Sequence, residues 1–317
     1  MKFFEPSDMA ALTHEFPHLP FGLKHRFYDN PLLTLPRLAD LARNLPRGRL
    51  DYDAGNTAIS RRPETTPTID LEPEEIIHTI ETAGASLVLR SVEQDPACRR
   101  LIEAALMEVA QARGYNSLKA AGFEDIRGVI CVSSANAMTP FRADAEETFF
   151  FQIHGDTFFH VYDNRDRSIA SEGALEAGAI EHRNLSYRAE FDKKCTTYRL
   201  KAGDGVFVPY QWPHWTRTAD ACSISLSLAW RSDEVRRRND IAAINAMLRG
   251  FGLPQHPPGV HPTLDAAKVA AFRAAAAAVE SLRRNEPMHR FVHRIVKGRE
   301  GNDGYRGGKK PQSANAS

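Results

Sequence analysis

The amino-acid sequence predicts a mainly β domain of the sandwich or barrel type, with helical segments before and after it. Two observations support this prediction. Short runs of β-branched and aromatic residues, separated by turn residues, recur between residues 121 and 235, as is typical of sandwiches and barrels. On both sides of this span, apolar residues recur with the period of an α-helix.

Residues 1–120 are expected to form a mixed, α-rich N-terminal extension. The segment 31–43 has apolar residues at helical spacing, and segments 74–83 and 95–113 have the pattern of amphipathic helices. The stretch 61–68 is rich in proline and threonine, so it is predicted to be irregular.

Residues 121–235 are expected to hold the strands. The predicted strand runs are 128–132, 149–162, 196–200, 205–209 and 222–230. In the last run, Ser223, Ser225 and Ser227 alternate with three apolar residues, so the serines share one face of the strand. This face is predicted to line an interior pocket while the apolar face packs outward. The alternative interpretation is that a narrow barrel simply needs small side chains inside.

A C-terminal helical segment is predicted for residues 236–297, most clearly between Leu264 and Arg284, with Thr263 placed to cap it. Residues 298–317 are rich in glycine, lysine and serine, and this composition predicts a disordered tail.

Composition excludes some classes of function. The 41 basic and 40 acidic residues nearly balance, so no general attraction to nucleic acid or to a membrane surface is expected. No apolar run approaches the roughly 18 residues that span a bilayer. The chain begins without an apolar leader, and its four scattered cysteines form no CxxC pair. A cytoplasmic protein is the expectation.

The candidate functional residues in the sequence are Thr139, Arg142, Asp144, Thr157 and His214. Positions 142 and 144 are two apart on a predicted strand, so their side chains point to the same face. A guanidinium group can bind such a carboxylate through two parallel hydrogen bonds.

The segments Arg142-Ala-Asp, Gln152-Ile-His-Gly-Asp-Thr157 and Gly203-Asp-Gly-Val-Phe-Val-Pro-Tyr-Gln-Trp-Pro-His214 resemble the cupin-like or JmjC family of 2-oxoglutarate oxygenases. They are similar to the branch of the protein asparaginyl hydroxylases and to bacterial cupin-like proteins of about this length. The resemblance covers residues 125–231. It implies a double-stranded β-helix, the jelly roll of cupin and JmjC domains.

The resemblance also implies which residues would serve chemistry. Members of the family hold iron(II) with a His-x-Asp pair and a distant histidine, and Asp144 and His214 occupy two of these three positions. Thr139 matches a hydroxyl that often contacts the cosubstrate. Two positions depart from the pattern. Arg142 replaces the first metal histidine, and Thr157 replaces the lysine that pairs with 2-oxoglutarate.

These two departures are predicted to belong together. In the family's site, iron, one aspartate, 2-oxoglutarate and one lysine have formal charges that sum to zero. Here Arg142 and Asp144 neutralise each other without a metal, and arginine has no lone pair to offer a cation. The hypothesis is that iron and 2-oxoglutarate binding are impaired and that no cofactor is used. Iron(II) and 2-oxoglutarate are the alternative.

Neighbouring residues were also considered as substitutes for the missing ligand. His154, His160 and His182 lie near the predicted strands, but a metal ligand tolerates little displacement, and these residues are interpreted as ordinary sheet or loop histidines. Glu146 and Glu147 are expected to form a solvated turn.

Three functions remain open from the sequence. The first is a module that binds a small polar molecule or a partner's side chain in a pocket formed by Thr139, Arg142, Thr157, Ser225 and Ser227. The second is an active 2-oxoglutarate-dependent hydroxylase of a protein or small molecule, with iron on Asp144 and His214. The third is a metal-free enzyme in which His214 and Arg142 provide acid–base chemistry and an anion clamp. By resemblance, the C-terminal helices imply a homodimer.

Overall fold

A computed structural model describes residues 2–5, 9–55, 59–60, 71–180 and 183–281. The strands in these ranges are β1 (Phe21–Lys24), β2 (Leu50–Ala54), β3 (Ala85–Arg90), β4 (Arg127–Ser133), β5 (Arg142–Ala143), β6 (Glu147–His154), β7 (Thr157–Tyr162), β8 (Cys195–Leu200), β9 (Asp204–Val208), β10 (Pro213–Thr218) and β11 (Ser223–Trp230). The helices are α1 (Met9–His14), α2 (Leu35–Asn44), α3 (Pro73–His78), α4 (Pro96–Ala112), α5 (Glu172–Ala177), α6 (Asp233–Gly250) and α7 (Pro262–Ser281).

The strands form two antiparallel sheets. The larger sheet has the order β1-β9-β6-β11-β4-β3-β2, and the smaller one has the order β5-β10-β7-β8. Strands β4 to β11 cross between the sheets so that β9-β6-β11-β4 faces β5-β10-β7-β8, which is the arrangement of a jelly roll. The predicted double-stranded β-helix is therefore confirmed. The predicted run 149–162 is divided into β6 and β7, and each of the other four runs coincides with one strand. The strand expected at Arg142 is β5, whereas β10 was not predicted.

The N-terminal region adds strands as well as helices. Strand β1 pairs with β9, and β2 and β3 extend the other edge of the larger sheet beyond β4. The expectation of an α-rich extension over residues 1–120 is corrected on this point, because these three strands are part of the same sheet as the jelly roll. They widen the interior face of that sheet and contribute side chains to the site.

The main core lies on the outer face of the larger sheet. Leu226 and Leu228 of β11 are buried there in one cluster with Ile102 of α4, as the alternation in β11 predicted. At Gly128 a Cβ atom would lie 2.6 Å from the Ile102 side chain and 2.7 Å from that of Val92. Glycine is needed here because α4 and the turn before it approach the sheet backbone closely.

The C-terminal segment contains α6 and α7, which pack together through Ile241, Ile244 and Val269. The predicted helix from Leu264 is confirmed as far as Ser281, although Thr263 lies inside its first turn rather than before it. The predicted tail at 298–317 lies outside the described residues. The homodimer stays a prediction. No helix in the described part of the chain is long and apolar enough to cross a membrane.

Candidate ligand pocket between the two sheets

A cavity of about 480 Å³ lies between the two sheets. This volume falls within the range of small-molecule pockets. All seven residues singled out in the sequence line it: Thr139, Arg142, Asp144, Thr157, His214, Ser225 and Ser227. The structure therefore brings together residues that are up to 88 positions apart, from Thr139 to Ser227.

Arg142, Asp144 and His214 form a compact cluster at one end of the cavity. Strand pairing places Arg142 directly opposite His214 on β10. The Arg142 Nε atom lies 3.4 Å from His214 Nε2 and 3.4 Å from Asp144 Oδ1. Asp144 Oδ2 lies 3.6 Å from His214 Nε2. The predicted contact of Arg142 with Asp144 is present, and it is made through Nε rather than through the two terminal nitrogens.

The hydrogen bonds of His214 indicate its tautomer. Its Nδ1 atom lies 2.9 Å from the carbonyl oxygen of Trp212, and a carbonyl can only accept, so Nδ1 carries the proton. Nε2 then accepts the Nε–H of Arg142. Burial lowers the pKa of His214, the Asp144 carboxylate opposes that shift, and the Arg142 charge adds to it. The imidazole is therefore neutral, with its lone pair directed at Arg142.

Arg183 is a second cation on Asp144, and it was not predicted from the sequence. It comes from the long connection between β7 and β8, and its Nη1 donates to Asp144 Oδ1 at 3.0 Å and to Glu146 Oε1 at 3.2 Å. Burial alone would raise the pKa of Asp144, but Arg142 and Arg183 outweigh burial and hold that pKa well below its usual range. Asp144 is thus ionised.

Glu146 lies in the same buried network, which corrects its predicted place in a solvated turn. Its side chain is 8% exposed and forms ion pairs with Arg127, Arg183 and Arg231. Burial would raise the pKa of Glu146, but the three arginines lower it overall. Glu147, also expected to be solvated, is 6% exposed.

Some hydroxyl groups of the cavity wall bind each other, and others have no such partner within the described ranges. Thr139 and Thr216 share a hydrogen bond of 3.2 Å, and Thr157 and Ser223 share one of 3.1 Å. Ser225 and Ser227 line the cavity, as predicted. Thr157 therefore binds the wall itself at the position where the resemblance implied a lysine facing the cosubstrate.

The other histidines lie away from this cluster. His154 is exposed at the end of β6, beyond a bulge at Ile153. His160 stacks on Trp215 with ring centroids 4.1 Å apart, on the side of β7 opposite to Thr157 and Phe159. His182 lies outside the described residues.

Comparison with known proteins gives structural neighbours only. No family model and no curated protein sequence matches the chain. Escherichia coli YcfD matches over 90% of this chain and 70% of its own, with 17% identity and a TM-score of 0.49. YcfD described as a ribosomal oxygenase in complex with cobalt and 2-oxoglutarate matches over 93% and 71%, with 14% identity and a TM-score of 0.47. The complex with cobalt and succinic acid matches over 93% and 71%, with 15% identity and a TM-score of 0.44.

These neighbours are oxygenases, in agreement with the resemblance in the sequence. The prediction that no cofactor is used is wrong by this comparison. The neighbours are described with cobalt and either 2-oxoglutarate or succinic acid. A metal ion and 2-oxoglutarate are also the groups that the resemblance in the sequence implies, so the residues of the cavity are compared with the needs of a metal ion and of a carboxylate.

The residues of the cavity fit a carboxylate better than they fit a metal ion. No cluster of three His, Cys, Asp or Glu side chains that could hold a metal ion occurs among the described residues. Asp144 and His214 are two such donors, but Arg142 engages both, and a cation beside it would compete with the guanidinium. The cluster therefore does not fit a metal held by three side chains. A carboxylate does fit, because it complements the guanidinium of Arg142.

Replacing Arg142 by histidine is expected to tighten cobalt(II) binding about 100-fold relative to the wild type. The change removes a positive charge, frees His214 Nε2 from a donor, and leaves Asp144 Oδ1 with Arg183 as its nearest cation. It also supplies a third ligand, an imidazole nitrogen, on the same face. Visible absorption of bound cobalt(II) measures the affinity. Arg142→Gln is the matched control, since it removes the charge without adding an imidazole. Equal affinity of Arg142→His and Arg142→Gln would contradict the expected third ligand.

Proposed function

We propose that this jelly roll binds a small organic carboxylate in its interior cavity and that Arg142 is the anchor. The supporting observation is the way Arg142 is held. Its Nε atom is engaged by Asp144 and His214, and its terminal nitrogens form no hydrogen bond with the described residues. The Arg142 side chain is 35% exposed and lines the cavity, so these nitrogens are open to a ligand.

The held geometry favours a carboxylate over other ligands. A guanidinium fixed at Nε presents its remaining N–H groups in a plane, and a carboxylate matches this fork with two parallel hydrogen bonds. Arg183 and Arg127, which pair with Asp144 and Glu146, add positive charge behind the anchor. Because the anchor is already oriented by protein contacts, little side-chain entropy is lost when the ligand binds.

Arg142→Gln is expected to weaken binding of succinate and 2-oxoglutarate by about 10- to 100-fold, since it removes charge-assisted hydrogen bonds. Isothermal titration calorimetry in the presence of a chelator measures this directly. Arg142→Lys, which keeps the charge and loses the fork, is expected to bind with intermediate affinity. Arg165→Gln, at an exposed ion pair with Asp163, is the matched control and should bind like the wild type.

A second candidate function is that of a metal-dependent 2-oxoglutarate hydroxylase acting on a protein or small molecule. The observation in its favour is that Asp144 Oδ2 lies 3.6 Å from His214 Nε2. The nearest contacts of Arg142 and Arg183 are with the other carboxylate oxygen, Oδ1. Succinate binding that appears only when cobalt(II) is added would support this candidate and contradict the first one. The metal-free acid–base alternative has no such support, because His214 Nε2 already accepts a hydrogen bond from Arg142.

A further inference from the structure

Three hydroxyl groups of the cavity wall have no hydrogen-bond partner among the described residues. Ser225 and Ser227 point inward from β11, and Thr148 points inward from the neighbouring strand β6. Ser225 is 6% exposed, and the Thr148 hydroxyl is fully buried and unpaired. A buried hydroxyl without a partner loses free energy on folding. The Thr148 hydroxyl is of this kind, while Ser225 and the half-buried Ser227 line the cavity beside it. Together they indicate a polar surface that is completed by something else.

The small side chains of this wall do not fill the barrel. If serine were present only because the interior is narrow, the opposite walls would meet. Instead a cavity of about 480 Å³ remains between the sheets, which exceeds the voids found in a close-packed interior. The interpretation of the serines as mere space-savers is therefore not supported.

Two pairs of charged side chains on the same wall bind each other. Arg90 pairs with Asp51 on the strands that extend the larger sheet, and Arg127 pairs with Glu146. Beside the anchor at Arg142, this wall offers the hydroxyls of Ser225 and Ser227 to a ligand. Each hydroxyl can donate one hydrogen bond and accept two, so the complementary ligand surface is itself rich in hydroxyl groups.

We infer that the ligand is a polyhydroxylated organic acid of the sugar-acid class, an inference that rests on the proposed carboxylate anchor. Arg142 belongs to the smaller sheet, and Ser225, Ser227 and Thr148 belong to the larger sheet. Facing sheets pack about 10 Å apart. A ligand with a carboxylate at one end and hydroxyls along its body spans this gap, with its carboxylate on Arg142 and its hydroxyls on the serines.

The test is a calorimetric comparison of three six-carbon probes on the full chain. Gluconate carries a carboxylate and hydroxyls, hexanoate carries the carboxylate alone, and sorbitol carries the hydroxyls alone. Gluconate is expected to bind at least about tenfold more tightly than either of the others, because only gluconate makes both sets of hydrogen bonds.

Two variants separate the two contacts. The double variant Ser225→Ala/Ser227→Ala is expected to weaken gluconate binding by about tenfold and to leave hexanoate binding unchanged. Arg142→Gln is expected to reduce gluconate affinity to that of sorbitol. Thr196→Ala, at an exposed position of β8 outside the cavity, is the matched control. Thermal unfolding of each variant verifies that the fold is retained.

The outcomes distinguish this inference from the carboxylate proposal. If hexanoate or succinate binds as tightly as gluconate and the serine variant has no effect, the sugar-acid inference is overturned while the Arg142 anchor is retained. If gluconate binds with equal affinity to the wild type and to Arg142→Gln, the anchor is overturned. Absence of gluconate binding to the wild type overturns the sugar-acid inference, and absence of succinate and 2-oxoglutarate binding as well overturns both proposals.

Discussion

Replacing Glu146 by glutamine is expected to lower the free energy of unfolding by about 3–5 kcal/mol at pH 7.5, the usual cost of breaking a buried ion pair from one side. The Glu146 carboxylate is shared by Arg127, Arg183 and Arg231. Glutamine keeps the shape but removes the negative charge, so three buried or half-buried guanidinium groups lose a common counter-ion. Urea denaturation of the variant and the wild type measures the difference.

The matched control is Glu190→Gln, because Glu190 forms its ion pair with Arg188 at 3.1 Å on the surface, where its side chain is 64% exposed. Exposed pairs contribute less than about 1 kcal/mol. A loss of less than about 1 kcal/mol for Glu146→Gln as well would show that the arginines find other partners and that the carboxylate does not organise the network.

The same carboxylate should contribute to acid unfolding. The pKa of Glu146 in the folded protein is lower than that of a free glutamate. Its contribution to stability is therefore present above the pKa of the unfolded chain and is lost as the pH falls through the folded pKa. Asp144, whose pKa is also held low, acts in the same direction.

The adjacent Glu147 is expected to change the free energy of unfolding with pH in the direction opposite to Glu146. Burial raises the pKa of Glu147 to about 7 from its usual value of 4.5, and hydrogen bonding to Trp230 and the charge of Arg113 only partly oppose burial. The folded protein therefore holds a proton on Glu147 that the unfolded chain releases. Its stabilising contribution is complete below pH 4.5 and is lost as the pH rises through 7.

Glu147→Gln removes this titration. Between pH 4.5 and pH 8, the stability of the variant relative to the wild type is expected to rise by about 3 kcal/mol, from the difference between the two pKa values. Unfolding by urea at a series of pH values measures the change. Glu103→Gln, at an exposed position of α4, is the control and should follow the wild type. A constant difference between Glu147→Gln and the wild type would contradict the prediction.

The local signals of the strands were sufficient to predict a sandwich or a barrel, and the resemblance to the cupin-like or JmjC family implied the jelly roll. The alternation of serine with isoleucine and leucine in β11 identified both the core face and the cavity face. Strands β1, β2 and β3 were missed because each is short and lies between helical segments. Strand β1 pairs with β9, β3 pairs with β4, and β2 pairs with β3. These partners are distant in the sequence, so the pairing is not indicated by a local pattern.

The site was predicted in part for a similar reason. Arg142, Asp144 and His214 were found through spacing and resemblance, and they do form one cluster. Arg183 was not found, since it reaches Asp144 from 39 residues away in a connection without a recognisable pattern. Glu146 and Glu147 were placed in a solvated turn because two adjacent carboxylates usually face water. Three arginines from distant segments surround the first, and burial raises the pKa of the second.

The most direct test of the carboxylate anchor is a crystal structure of the wild-type protein with saturating succinate. We expect electron density for a carboxylate in the cavity, with its oxygens about 2.7–2.9 Å from the terminal nitrogens of Arg142. Succinate bound elsewhere, or a cavity without it at saturating concentration, would contradict the proposal that Arg142 anchors the ligand.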